Sequence, residues 1–201
     1  MGVEKFNYGN LLHPEPVTSL DHFSFRVIPG ELRTAEYDLR LLNGGANKPQ
    51  PYSPEEHVKT DRWKYAQTIQ RLILSKETAS RLAIHEAALR NYGGGNPETD
   101  KEVQQRAVRH IARLATGGAN VGIVPYSADI RGTSEVAMIA GFDNSAPIAA
   151  TYDLWGGRMS DDPSRVERAS INFDDIWGQS LRGSEGIDRL YEIAAELPEM
   201  R

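Results

Sequence analysis

The residues best placed for chemistry are His85 and Glu86, adjacent where the apolar run Leu82-Ala83-Ile84 gives way to Ala87-Ala88-Leu89-Arg90. A carboxylate beside an imidazole raises its basicity, so the pair could serve as a base and its orienting group. Side chains at a strand's carboxyl end commonly face a crevice. Neighbours on a strand point to opposite faces, however, so joint use requires that the strand ends there. The structural alternative is a cap, or an ion pair from Glu86 to Arg90 four residues on. Tyr152 and Asp153 pose the same choice at the end of a later run. Tyr152 is in phase with Ile148 and Ala150, so core packing competes with a ligand hydrogen bond, and Asp153 is a second carboxylate that could orient His85.

Other groups are weaker. Gly93-Gly94-Gly95 is followed by Asn96-Pro97 and lacks the GxxxxGK[ST] pattern, so it reads as a connection. His57 with Asp61, and Arg106 with His110, sit four residues apart, but metals need three or four converging ligands, and no metal site is expected. Arg106, Arg109 and Arg113 share one side of a helix; they suit a phosphate or an acidic partner, or simply a solvated face. The last two helices, joined at Arg182-Gly183, have helix-turn-helix spacing. Glu185, Asp188, Glu192 and Glu196 give the final helix the wrong sign for a DNA groove.

The elements that must position these residues centre on 82–126. A strand ending at Ile84-His85, a helix over about Glu98 to Thr116 with Val103, Ala107, Ile111 and Leu114 inward, and a strand Val121 to Tyr126 form a βαβ unit. Before it, Met1 to Asp21 reads as an extended arm, of the kind that often packs on a neighbouring subunit. Phe23, Phe25 and Val27 alternate as a strand ending at Pro29-Gly30. Thr34 caps a helix to Asn43. Ser53-Pro54-Glu55-Glu56 is a capping box opening a helix to about Ser75, with Val58, Tyr65, Ile69, Leu72 and Ile73 inward. Downstream, Val136 to Phe142 and Ile148 to Leu154 alternate as an antiparallel hairpin. Asp162-Pro163 starts a helix carrying Val166, Phe173 and Trp177, and Ser184 caps a last one with Ile187, Leu190, Tyr191 and Ala194 inward. The fold class is α/β in the mixed α+β sense: a central mixed sheet holding the βαβ unit and the hairpin, packed by several helices. Residues 1–22 form the arm and 23–201 one domain.

The chain has 201 residues, 39% hydrophobic and 25% charged, which fits one globular domain. No cysteine is present, which excludes disulfides, thiolate catalysis and cysteine-ligated metals. A net charge of −5 argues against direct nucleic-acid binding. No run reaches the roughly 20 apolar residues of a membrane span, and Met1 to Asn10 lacks a leader pattern. A cytoplasmic location without membrane contact is expected.

Three stretches, in order, carry a resemblance. Val27-Ile28-Pro29-Gly30-Glu31-Leu32-Arg33-Thr34-Ala35-Glu36-Tyr37 resembles a PGLLQT-x-x-Y segment, His85 to Arg90 an EAALR segment, and Val121 to Tyr126 a strand ending VLPF. Together they resemble an actinobacterial domain of unknown function found after the helix-turn-helix of WhiJ-type transcriptional regulators. Glu31 and Arg33 depart from that pattern, as does Tyr152-Asp153 where an acidic residue is usual. The 22 residues before Phe23 are too few for a DNA-binding domain. The resemblance carries no catalytic residues.

It implies a non-catalytic ligand-sensing or protein-interaction domain, expected as a homo-oligomer, whose partner is a small molecule or a protein. Its binding surface is expected from Pro29, Gly30, Arg33 and Tyr37 with Arg90, Tyr126 and Tyr152. The alternative is a small-molecule enzyme of specialised metabolism on the same fold. There His85 would be the acid/base, Glu86 or Asp153 its orienting group, and Arg90 an anion holder. The sequence identifies no cofactor.

Overall fold

The computed structural model describes residues 16–43, 52–91, 97–130, 136–153 and 156–197. Among these, the strands form one six-stranded sheet in the order β3-β2-β1-β4-β5-β6. The strands are β1 (Val17–Ser24), β2 (Ala79–His85), β3 (Val121–Val124), β4 (Val136–Phe142), β5 (Ile148–Asp153) and β6 (Gly156–Ser160). The β1, β2 and β3 strands run parallel, while β4, β5 and β6 add antiparallel pairs. The mixed sheet, the βαβ unit and the hairpin are therefore as expected. Ser24 pairs with Ile84 on one side and Val136 on the other, so the carboxyl ends of β1 and β2 lie level with the start of β4.

The helices are α1 (Ala35–Asn43), α2 (Pro54–His57), α3 (Asp61–Ser75), α4 (Glu86–Arg90), α5 (Pro97–Thr116), α6 (Pro163–Gly178) and α7 (Gly183–Glu196). Their ends follow local chemistry. Ser53 and Glu56 form the reciprocal capping box, Asp162 accepts from the amides of Ser164 and Arg165, and α5 stops before Gly118, whose φ of 106° suits glycine. None of the described helices is long and apolar enough to cross a membrane.

The sheet has two covered faces. One side packs Leu20, Leu82, Ile84, Val121, Ile123 and Met138 against Ile69 and Ile73 of α3, Val103, Ala107, Ile111 and Leu114 of α5, and Leu190 and Ile193 of α7. The other side packs Phe23, Ala83, Val124, Ile139 and Ala149 against Val166, Phe173, Ile176 and Trp177 of α6. Each large side chain fully buried this way contributes about 1.5–3 kcal/mol. Arg81 bolts α6 to the sheet: it chelates Asp21 at 2.8 and 2.6 Å, reaches Asp174 at 2.7 Å and lies over the Phe173 ring.

Four expectations need correction. First, β1 begins at Val17, inside the stretch read as an arm, and ends at Ser24, so Phe25 and Val27 lie beyond it. The Ser24 hydroxyl donates to the Val27 carbonyl and closes a bend there; residues 1–15 of the expected arm lie outside the described residues. Second, the helix expected from Ser53 to Ser75 is broken. Thr60 accepts from the Trp63 amide and restarts it as α3, which leaves Val58 exposed. Third, β6 is unexpected, because Gly156-Gly157-Arg158-Met159-Ser160 has no apolar alternation. Fourth, Tyr191 is exposed rather than inward, and α7 starts at Gly183 with Arg182 as its N-cap, so Ser184 lies inside the helix and does not cap it.

Candidate functional site

His85 is the last residue of β2 and the N-cap of α4. It shares the phase of Ala83, so its ring lies on the α6 side of the sheet, at the strand carboxyl end. The residue is 3% exposed. Phe25 lies against its ring in a tilted contact at a centroid distance of 4.5 Å, and Tyr126, just past β3, meets it edge-on at 5.2 Å. Tyr126 is 60% exposed. Beyond it, the 126–130 loop is tied to α6 by Gln179, which accepts from the Asp129 amide and donates to its carbonyl.

The hydrogen bonding of His85 sets its chemistry. Nδ1 accepts from the Ala87 amide at 3.1 Å, so in the neutral ring the proton must sit on Nε2. Burial pushes the imidazole below its ordinary pKa, against the opposing pull of the neighbouring Glu86 carboxylate. Protonating Nδ1 would set two donors against each other and destroy the cap. His85 is thus a neutral donor whose one lone pair is committed. Its Nε2–H meets no acceptor among the described residues. A neutral ring in this state can donate through Nε2–H to a carbonyl or other acceptor, and does not suit general-base work at Nδ1.

Glu86 turns the other way. Arg189 of α7 grips both its oxygens at 2.8 and 2.9 Å, and Arg90 approaches at 3.7 Å. Arg90 also reaches Glu196 at 2.6 Å, and Arg189 reaches Glu192 at 2.9 Å. Glu86 therefore stitches α4 to α7 and makes no hydrogen bond to His85. Gln104 completes the anchoring of α4 by donating to the carbonyls of Ala88 and Leu89 at 3.2 and 2.7 Å. The side chains of Tyr152 and Asp153 lie outside the described residues. Tyr152 pairs with Val136 on β4, so the sheet order separates this end of β5 from β2 by two intervening strands, a span of about 14 Å.

Pro29, Gly30, Arg33 and Tyr37 are all buried, and so present no open face in this conformation. Arg33 donates through Nε to the Ile28 carbonyl at 2.6 Å and through its terminal nitrogen to Asp38 at 2.6 Å. The Tyr37 hydroxyl accepts from the Ile28 amide at 3.3 Å. Asp38 is the hub: Arg62 and His57 also donate to it, each at 2.9 Å. A second buried pair, His22 with Glu31, lies beside the sheet at 2.5 Å. Burial works against the charge on Glu31, but His22, backbone donation and Arg33 outweigh it and hold the carboxyl below its usual range.

Sequence reasoning misses both clusters. Spacing matches His57 with Asp61, whereas its partner Asp38 lies 19 residues away. No local spacing signals such a contact.

So the site brings together His85, Tyr126 and Phe25, and directs Glu86 and Arg90 to α7. No curated protein and no solved structure matches the chain. The family model described as a domain of unknown function, DUF5753, matches residues 15–192, and the chain belongs to that family.

Proposed function

We propose that this chain is a non-catalytic sensing domain that holds a small molecule in the crevice at the carboxyl ends of β1, β2 and β3. The state of His85 carries the reading. Its lone pair caps α4, Glu86 is locked to Arg189, and what remains is a fixed N–H donor between Phe25 and Tyr126. Such a site recognises an acceptor group but supplies no acid–base pair. The resemblance to the module that follows the helix-turn-helix in actinobacterial WhiJ-type regulators supports a part in controlling transcription. In this reading DNA contact belongs to a separate helix-turn-helix, and the domain works in the cytoplasm as a homo-oligomer.

The test uses His85→Asn, because asparagine keeps an N-cap acceptor while removing the ring and its Nε2–H. Native mass spectrometry of the wild-type chain, purified from its own source, is expected to show a bound small molecule that is absent from His85→Asn. Full retention by the variant would refute the crevice as the site. Chemical conversion of the released compound on incubation with the protein would refute the non-catalytic reading.

A further inference from the structure

The opposite face of the sheet from His85, covered by α5 and α7, carries a concavity. It is a groove of about 410 Å³ lined by Thr34 and Glu36 at the start of α1, Arg106, Arg109 and Arg113 of α5, and Tyr191 of α7. We propose that this groove binds a small organic anion, with its oxyanion head on Arg109 and Arg113 and a flat apolar body against Tyr191.

Charge is the first argument. Three guanidinium groups face one carboxylate in a chain whose net charge is −5. Glu36 is already engaged, chelating Arg106 at 2.8 and 3.1 Å, and Glu102 approaches the same arginine at 3.4 Å. Arg109 and Arg113 make no ion pair or hydrogen bond among the described residues. They lie one turn apart on α5, where like charges repel and an anion between them relieves the repulsion.

The second argument is shape. Leu190, Ile193 and Ala194 of α7 fill the core, while Tyr191 turns out and is 48% exposed. Its ring forms an amphipathic wall beside the arginines. The Thr34 hydroxyl oxygen accepts from the Tyr37 amide at 3.2 Å, which leaves its proton to donate into the groove. His110, next to Arg109 on α5, is held below its ordinary pKa by burial and then by Arg113, so the positive charge of this face rests on the arginines.

Isothermal titration of the full chain with phenyl phosphate and with benzoate, at low salt, tests the proposal. At least one should bind saturably, and the tighter of the two names the head group. Arg109→Gln and Arg113→Gln, both exposed and expected to fold, should each weaken that binding at least about tenfold, the usual worth of a charge-assisted contact. Arg168→Gln, exposed on α6 at the other face, should bind like the wild type. Tyr191→Ala should weaken binding of the aromatic probe but not of inorganic phosphate. No saturable binding by either probe, undiminished binding by both arginine variants, or an equal loss in Arg168→Gln would overturn the assignment.

Discussion

Asp38→Asn is the sharpest test of how the 28–62 region is held. Asp38 is 3% exposed and receives Arg33 at 2.6 Å and Arg62 at 2.9 Å on one oxygen, with His57 at 2.9 Å on the other. Asparagine keeps the volume and deletes the charge on which those three groups converge. Removing one partner of a buried pair costs about 3–5 kcal/mol. The Arg33 contact supplies most of this, because the Arg62 side chain is 31% exposed and its contact is screened. With about 2–4 °C of Tm per kcal/mol for a chain of this size, the melting point should fall by about 6–20 °C. The sign of the pH dependence follows from the carboxyl. Burial raises its pKa, but Arg33, Arg62 and His57 outweigh burial and hold it below the ordinary value. Its stabilisation is therefore complete above the unfolded-state value of about 4 and is lost as pH falls through the lower folded value. Urea unfolding, followed through Trp63, whose ring lies 4.9 Å from that of His57, gives the free-energy gap at each pH. The gap should be full at neutral pH and close on acidification. Arg33→Met added to Asp38→Asn should recover part of the loss, because the buried charge then disappears with its partner. A loss below about 1 kcal/mol at neutral pH with unchanged denaturant dependence, or a gap that widens toward acid, would refute the reasoning.

Two further outcomes follow from contacts around β2 and β3. Glu86→Gln should lower stability by about 1–3 kcal/mol, read from a thermal melt, because it breaks the bidentate grip of Arg189; an unchanged melt would remove Glu86 from the structural role. Gly122→Ala should destabilise by about 1–3 kcal/mol. A Cβ there would stand 2.5 Å from the Ser180 hydroxyl oxygen and 2.9 Å from the Trp177 ring, and urea unfolding with tryptophan emission as the probe would register the strain.

Features whose causes are local in the chain are legible in its residues alone. The Ser53–Glu56 box, the Asp162 cap, the Gly117-Gly118 stop and the apolar stripe of α5 each depend on residues within one or two turns. Strand β1 escapes such a reading because His22 and Ser24 look like surface residues. They point inward, since Glu31 and the Val27 carbonyl supply partners that alternation cannot reveal. Helix α3 starts later than its pattern implies for a related reason: His57 leaves the solvent to meet Asp38, and the chain turns at Thr60 to allow it.

The same division runs through the candidate site. His85 owes its tautomer to the Ala87 amide, two residues away, a contact that the strand-to-helix transition makes predictable. Glu86 owes its position to Arg189, 103 residues away, which no spacing could announce. Two adjacent residues that resemble a catalytic pair are thus divided by the sheet itself. The strand pleat sends the His85 ring toward α6, and Glu86, the first residue of α4, turns its carboxylate to Arg189 of α7. The pair could work together only if α7 released Glu86, and that would break the ion pairs that join α4 to α7. The geometry therefore leaves His85 as a lone donor, and under the sensing function proposed above a ligand would be recognised through an acceptor atom placed beside Phe25 and Tyr126.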